Sequence, residues 1–174
     1  EEKNTVQKLN LSSLEKLKKV TVECGNSYLK EINLTNCNRL TDVYIAGENQ
    51  NIQSLDLKQC TNLQKLYCRS IAVKKLNLSD YKELEDVDIG GGTIHVLNLK
   101  RCPSLVKLFV SSDALTKLKL KDSKNLETAM LFAYSLKSVD LSTNTKLKKL
   151  VCELPVCPSL DLSRNKELRN FNCS

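Results

Sequence analysis

The eight cysteines are the residues of this chain whose number first points to chemistry. Eight thiols in 174 residues are compatible with a disulfide framework in a secreted protein or with a zinc site. Structural zinc sites usually place two cysteines two residues apart, and no C-x-x-C pair occurs here. The single histidine, His95, adds one further ligand at most. We therefore expect neither a metal site nor a cofactor.

Catalytic motifs are also missing from the sequence. One histidine and no G-x-S-x-G, H-E-x-x-H or P-loop sequence leave few ways to assemble a nucleophile, a base and an electrophilic group. The run Gly90-Gly91-Gly92 lacks the spacing of a phosphate-binding loop, so we interpret it as a tight turn. The sequence predicts that the protein is not an enzyme.

Positive charge gives a second kind of candidate site. Lysine and arginine exceed aspartate and glutamate by 27 to 20, and the isoelectric point is about 9.0. Lys58, Lys100 and Lys121 fall at one repeated position, with Arg101 and Lys119 beside them, which would suit a polyanion. Acidic residues interrupt this surface and no aromatic residues alternate with the lysines, so we do not expect nucleic acid as a partner.

An internal repeat must position all of these residues. A phrase of two apolar residues around one polar residue, here called the LxL phrase, recurs at intervals of 23, 23, 21, 21, 21, 21 and 21 residues. The apolar residues of the eight phrases are Leu9/Leu11, Ile32/Leu34, Leu55/Leu57, Leu76/Leu78, Leu97/Leu99, Leu118/Leu120, Val139/Leu141 and Leu160/Leu162. Such a fixed period indicates a repeat protein in which each coil stacks on the next.

Each coil contains a second phrase, which begins eleven residues after the first and runs from Val20/Val22 to Phe171/Cys173. Further apolar residues recur three positions before and eight positions after the first residue of each LxL phrase. The set eight positions after it is leucine in all eight coils. Short apolar-polar-apolar triplets separated by polar turns favour strands over helices. We predict a repeat solenoid of mainly parallel β-strands and turns, with little helix and eight coils of 21 to 23 residues.

The segment Leu136-Lys-Ser-Val139-Asp-Leu141-Ser-Thr-Asn144-Thr-Lys-Leu147-Lys-Lys-Leu150-Val-Cys152 resembles the leucine-rich repeat. It matches the pattern LxxLxLxxN/CxL except that the last leucine comes one residue later. The chain is similar to the 21-residue bacterial subclass with recurrent Cys or Asn, as in internalin J-like surface proteins. The resemblance implies a secreted or cell-surface bacterial module. We expect residues 1–174 to form one solenoid domain of a longer protein.

The cysteines fit this repeat as packing residues. Cys37, Cys60 and Cys102 occupy the Asn/Cys position of the repeat, which Asn144 and Asn165 hold in later coils. In the family this side chain points inward and bonds the backbone of a turn. Four further cysteines replace apolar residues of the repeat, namely Cys68, Cys152, Cys157 and Cys173. We expect free thiols throughout, and Cys24, which lies off every apolar row, is the candidate for an exposed one.

The central residue of the second phrase gives the most informative row. Across the eight coils it reads Thr21, Tyr44, Tyr67, Asp88, Phe109, Met130, Val151 and Asn172. The central residues of the LxL phrases are all polar. An exposed apolar stripe often marks a contact surface. The candidate ligand-binding residues are Tyr44, Tyr67, Phe109, Met130, Phe132 and Val151, and we expect Asp88 to divide them into two patches.

Together these patterns predict a non-catalytic extracellular recognition module that binds a protein or a glycan through the apolar stripe. Two alternatives remain open at this point: a structural spacer or stalk, and polyanion binding through Lys58, Lys100, Arg101, Lys119 and Lys121. The longest apolar runs are only a few residues, so we expect no membrane insertion by this chain. The identity of the ligand and the oligomeric state are not encoded in these patterns.

Overall fold

The regular elements of the described chain are all β-strands. The computed structural model describes residues 6–24, 28–47, 52–69 and 71–174, and the side chain of Cys24, the proposed exposed thiol, lies outside this description. The strands are β1 Lys8–Asn10, β2 Lys19–Cys24, β3 Glu31–Asn33, β4 Asp42–Gly47, β5 Ser54–Asp56, β6 Lys65–Cys68, β7 Lys75–Asn77, β8 Asp86–Gly90, β9 Val96–Asn98, β10 Lys107–Ser111, β11 Lys117–Lys119, β12 Thr128–Phe132, β13 Lys149–Glu153 and β14 Asn170–Cys173.

The second phrases form one continuous parallel sheet, here called the main sheet. Its eight strands lie in the order β2-β4-β6-β8-β10-β12-β13-β14, so each strand pairs with its equivalent one coil away. The pairing places Val20 opposite Val43 and Leu108 opposite Ala129, in step with the repeat. The eight coils, counted by their main-sheet strands, form a parallel β-solenoid of about seven turns of about 21 residues. The predicted repeat solenoid is confirmed.

The apolar rows of the repeat form the core. Alternation along each main strand turns the first and third residues of the second phrase inward, as in the buried pair Val43 and Ile45. The leucines eight positions after each LxL phrase are fully buried from the second coil to the seventh, at Leu40, Leu63, Leu84, Leu105, Leu126 and Leu147. Burial of these side chains between stacked coils supplies the main stabilisation, because no single coil encloses them.

The LxL phrases form a less continuous second face. Strands β1, β3 and β5 make one three-stranded parallel sheet and β7, β9 and β11 make another, without pairing between β5 and β7. The LxL phrases at Val139 and Leu160, expected as strands, are not strands in the structure. In the fifth coil the Arg101 amide donates to the backbone carbonyl of Lys121 at 2.9 Å. The equivalent amide one coil later, that of Asp122, donates instead to the side-chain hydroxyl of Thr143 at 3.0 Å.

A row of inward donors, here called the turn ladder, joins successive coils. In each coil from the second to the eighth, one side chain donates a hydrogen bond to the carbonyl of the second LxL leucine of the preceding coil, as Cys60 Sγ does to Leu34 O at 3.0 Å. The seven donors are Cys37, Cys60, Tyr81, Cys102, Ser123, Asn144 and Asn165. The inward orientation expected for the Asn/Cys position is confirmed. It gives these carbonyls a donor from the next coil, and several of them, such as Leu34 O, also accept an amide of their own turn, here from Cys37 N at 3.2 Å.

Burial keeps two of the ladder thiols, those of Cys60 and Cys102, protonated. Removal from water disfavours a thiolate, and this raises the pKa of Cys60 and of Cys102 to about 11. Both thiols therefore remain available as donors at neutral pH. Burial likewise raises the pKa of Cys68 and brings that of Cys152 to about 12.

The polar centres of the LxL phrases cap the turns that follow them. A side-chain oxygen accepts the backbone N–H two residues later, as when Asp56 Oδ1 accepts from the Lys58 amide at 2.9 Å. The same bond forms at Asn10, Asn33, Asn77, Asn98, Asp140 and Asp161. This Asx-turn geometry explains why Asn and Asp dominate the row. The polar character of this face thus has a structural cause.

Replacement of Ser123 tests the turn ladder. Its hydroxyl donates to the Leu99 carbonyl at 2.6 Å and accepts from the Cys102 amide at 3.2 Å, and the residue is fully buried. We expect Ser123→Ala to lower the free energy of unfolding by about 1 to 3 kcal/mol, because both backbone groups lose their partner. Ser123→Cys keeps an inward donor, as at Cys102, and should lose less than about 1 kcal/mol. Equal losses in urea unfolding would show that donation is unimportant.

Thiol labelling tests the arrangement of the cysteines. In a Cys24→Ser background, a charged disulfide reagent should modify Cys173 at once in the native protein, because Cys173 is exposed. Cys60 and Cys102 are buried and hold raised pKa values of about 11, so their labelling should wait for unfolding. Mass spectrometry of peptides from timed samples distinguishes the sites. Rapid native labelling of Cys60 or Cys102 would contradict the inward ladder.

Candidate functional site

The outward side of the main sheet carries the candidate ligand-binding residues in two adjacent rows. Strand pairing sets Tyr44 opposite Tyr67 and Phe109 opposite Met130, and Met130 pairs with Val151. Phe132 belongs to the adjacent outward row, two residues further along β12 and opposite Ser111. The structure therefore brings the six predicted residues onto one face. Tyr44 is the most exposed of them, at 37%.

The aromatic rings of this face are in contact with one another. Tyr44 and Tyr67 stack with ring centroids 5.1 Å apart and an interplanar angle of 14°. Phe109 and Phe132 pack at 5.7 Å with their rings tilted by 45°. Contacts of this kind between aromatic rings add to the stabilisation given by their burial. The rings form two ordered pairs rather than independent side chains.

Arg69 joins the two pairs. Its guanidinium carbon lies 4.7 Å from the centre of the Tyr67 ring and 5.2 Å from the centre of the Phe109 ring. A guanidinium attracts the electron-rich face of an aromatic ring at such distances. We call the resulting series of Tyr44, Tyr67, Arg69, Phe109 and Phe132 the aromatic–arginine stack.

The division expected at Asp88 is wrong, because Arg69 fills that position. Asp88 is buried, and its carboxylate receives two hydrogen bonds from Arg69, from Nε at 3.0 Å and from Nη2 at 2.7 Å. The short side chain of Asp88 leaves a space between Tyr67 and Phe109 that the guanidinium occupies. Gly90 supplies further room, since a Cβ atom there would lie 3.4 Å from Cα and Cγ of Arg69. The surface is therefore continuous across β8.

The charge of Arg69 is neutralised within the stack. The hydrogen bonds to Asp88 raise the pKa of the Arg69 guanidinium, which therefore stays charged beside the Asp88 carboxylate. Burial, followed by hydrogen bonding to Asp88, raises the pKa of the Tyr67 hydroxyl, which keeps it protonated at neutral pH. The stack thus offers aromatic edges and hydroxyl groups with no net charge.

Alternating charges flank the stack along the first outward row. Strand pairing places Lys19, Asp42, Lys65, Asp86 and Lys107 side by side in that order. Burial raises the pKa of Asp86, and the neighbouring lysines Lys107 and Lys65 act in the opposite direction. A small cavity of about 170 Å³ lies between the first four of these charges and the two tyrosines. This flank is nearly neutral in sum and offers both signs of charge to a ligand.

The residues of the polyanion alternative do not form one free cationic surface. Arg101 is bound to Asp80 through Nε at 2.7 Å and Nη2 at 2.6 Å, which neutralises it. Lys119 is the exposed last residue of β11, and Lys100 is half-buried. Lys58 and Lys121 are exposed and lie three coils apart on the LxL side. These lysines lie away from the aromatic–arginine stack.

The triple glycine run is partly a turn, as predicted. Gly90 ends β8, and the turn itself falls at Gly92 and Thr93. Gly91 between them has a φ of +150°, and a Cβ atom there would lie 2.5 Å from the Ile71 carbonyl oxygen. Only glycine allows the backbone of this coil to approach the preceding one so closely.

Sequence reasoning missed Arg69 and Gly90 as parts of the site. Arg69 lies two residues after Tyr67, just as Phe132 follows Met130, so its outward position was readable from the alternation. The pairing of Arg69 with Asp88 could not be predicted from the alternation. It requires the side chain to cross from its own coil to the next one.

Comparison of the sequence with protein-family models finds no match, and comparison with curated proteins finds none. Among the residues that the structure describes, no three histidine, cysteine, aspartate or glutamate side chains gather as ligands for a metal ion. The described ranges also contain no helix long and apolar enough to cross a membrane.

Two arginine substitutions test the organisation of the stack. Arg69→Met leaves the Asp88 carboxylate buried without its partner, so we expect the free energy of unfolding to fall by about 1 to 3 kcal/mol. Arg101→Met breaks a pair of similar geometry around the exposed Asp80 and should have a smaller effect. Urea unfolding of both variants measures the difference. Equal losses would contradict the supporting role of Arg69.

Proposed function

We propose that this chain is a non-catalytic recognition module whose ligand binds the outward face of the main sheet. The observation that carries the proposal is the aromatic–arginine stack, continuous on that face from β4 to β12. Tyr, Phe, Met and Arg are the residue types enriched where proteins contact their partners.

The order within the stack favours binding. Each ring of the stack is held by a neighbour, and Arg69 is held by Asp88 as well as by two rings. Side chains that are fixed before binding lose little conformational entropy when a ligand arrives. A ligand therefore gains more binding free energy from contacts with this preordered surface than from the same contacts with a mobile one.

The ring orientation favours a protein ligand over a glycan. Sugar rings stack on free aromatic faces, but Tyr67 has one face against Tyr44 and contacts Arg69 as well. What remains for a ligand is mainly ring edges and tyrosine hydroxyl groups. Ring edges carry partial positive charge, which suits the carbonyl and carboxylate oxygens of a protein. The paired charges of the flanking row add hydrogen-bonding groups of both signs.

The resemblance to leucine-rich repeats extends the proposal to identity and location. The coil length, the inward Asn/Cys position and the two LxL-type phrases per coil support membership of the 21-residue subclass with recurrent Cys or Asn, the internalin J-like proteins. A secreted or cell-surface bacterial location belongs to the same proposal. It rests on the resemblance alone.

A retention experiment tests the proposed function. The immobilised protein is exposed to host extracellular proteins, mucin glycans and heparin, beside the variant Tyr67→Ser/Phe109→Ser/Met130→Ser. The control variant Lys100→Gln/Lys119→Gln/Lys121→Gln changes charge on the LxL side only. We expect the first variant to lose at least about tenfold in affinity for a retained protein and the control to bind as the wild type does. Circular dichroism verifies that both variants fold.

Salt dependence separates the alternatives. Binding through the stack should change little between about 50 and 200 mM salt, whereas polyanion binding through lysines should weaken steeply. Equal retention by the wild type and the stack variant would contradict the proposal. Loss of retention in the lysine variant, with elution by salt, would favour polyanion binding. Absence of any retention would favour a structural spacer.

A further inference from the structure

The LxL face opens between β5 and β7, and we call this opening the seam. Backbone bonds join successive turns from the first coil to the third and from the fourth to the sixth, for example from Leu34 N to Asp56 O at 2.8 Å and from Asn36 N to Lys58 O at 2.9 Å. The equivalent donors at the seam are the amides of Leu57 and Gln59. Neither amide bonds to a backbone carbonyl of the β7 coil within the described ranges.

A shift of register closes one end of the seam. The spacing between LxL phrases changes from 23 to 21 residues at β7. Ile52 would pair with Val73 if the 21-residue step held, but it pairs with Ile71, and Ala72 N donates to Ile52 O at 2.7 Å. The two-residue difference is absorbed at this bridge. Beyond it the ladder bond from Tyr81 to Leu57 has the same offset as the bond from Cys102 to Leu78 in the next coil, yet β5 and β7 do not pair.

Tyr81 holds the other end of the seam apart. It occupies the turn ladder position that Cys, Ser or Asn fills in the other described coils from the second onward, and its hydroxyl donates to Leu57 O at 2.6 Å. A tyrosine side chain is much longer than that of cysteine. Bonding the same carbonyl therefore keeps the turn of the fourth coil further from that of the third. Burial raises the pKa of Tyr81 to about 12, so the hydroxyl remains a donor.

The seam contains room for a ligand. Two adjoining cavities of about 440 and 690 Å³ share Leu55 and Lys75 in their walls. Their apolar floor is provided by Leu55, Leu57, Leu76 and Val73, which are buried residues of the core. Volumes of this size are in the range of sites that bind small ligands or short segments of peptide.

The rim of the seam is basic. Lys58, Lys74 and Lys75 are exposed residues that line the two cavities. Of the two acidic residues in the lining, Asp80 is paired with Arg101, which leaves Asp56, whose carboxylate accepts the Lys58 amide at 2.9 Å. Three lysines against this one carboxylate leave the rim basic, which favours an anionic ligand.

We propose that the seam, held open by Tyr81, binds an extended acidic peptide segment of a partner protein by strand addition along β5. The Leu57 and Gln59 amides donate to carbonyls of the peptide, and the rim lysines contact its carboxylates. Strand addition to an open sheet edge supplies affinity through main-chain bonds, while side chains supply selectivity. This site is on the LxL face and does not depend on the aromatic–arginine stack.

Hydrogen exchange measured by NMR tests the proposal directly. The probe is a peptide with blocked ends and the sequence Glu-Val-Glu-Val-Glu, added to the wild-type protein. We expect the Leu57 and Gln59 amides to exchange rapidly in the free protein and to slow by at least about tenfold at saturation. The peptides Lys-Val-Lys-Val-Lys and Glu-Pro-Glu-Pro-Glu serve as controls, since the first reverses the charge and the second lacks backbone donors at proline. Neither should slow exchange.

Two variants of Tyr81 complete the test. Tyr81→Cys restores the small donor found at Cys60 and Cys102, so both amides should be protected without peptide and the affinity for the acidic peptide should fall at least about tenfold. Tyr81→Phe keeps the bulk without the hydroxyl, so the seam should stay open and bind the peptide.

Four outcomes would overturn the proposal. They are unchanged exchange on addition of the acidic peptide, protection of both amides in the free wild type at low concentration, peptide binding by Tyr81→Cys equal to the wild type, and protection that rises with protein concentration alone. The last would assign the seam to a second copy of this chain. The stack variant Tyr67→Ser/Phe109→Ser/Met130→Ser should bind the peptide normally, so failure here is distinguishable from failure of the proposed function.

Discussion

The hydrogen bond from each coil to the leucine carbonyl of the coil before it is the constraint on which the solenoid depends. The carbonyl of the second LxL leucine points inward, and a donor from the next coil ties the two turns together. Cys60, Ser123 and Asn144 make this bond with three different donor groups. Tyr81 makes it with a longer side chain, at the place where β5 and β7 do not pair. In our proposal the size of this donor sets the spacing of these two coils.

The main sheet lies on the other side of the solenoid from the LxL face, and the regular stacking of its strands has a functional consequence. The main sheet is continuous over eight strands, so outward residues of successive coils fall in line whatever their type. Substitution on that face is constrained little by the core and can build a contact surface. The aromatic–arginine stack shows how such a row tolerates a polar member. Asp88 is accommodated because Arg69 pairs with it and Gly90 leaves space.

The sequence predicted those features that repeat. The period and the alternation indicated the coils, the strands of the main sheet, the inward leucines such as Leu84 and the row containing Tyr67 and Phe109. Features that depend on one unusual residue were not predictable in this way. Arg69 crosses to the neighbouring coil because its side chain is long, and the seam arises from a change of coil length combined with one bulky donor at Tyr81. Departures from a repeat are visible in its spacing, but their geometry requires the structure.

A crystal structure of the Tyr81→Cys variant tests the central claim most directly, because it shows whether donor size sets the distance between coils. The account predicts that the thiol introduced by this substitution donates to the Leu57 carbonyl and that the turns of the third and fourth coils move together. The Leu57 amide would then donate to the Asn77 carbonyl, as the Leu34 amide donates to Asp56 in the wild type. Unchanged separation of these turns in the variant would contradict the account.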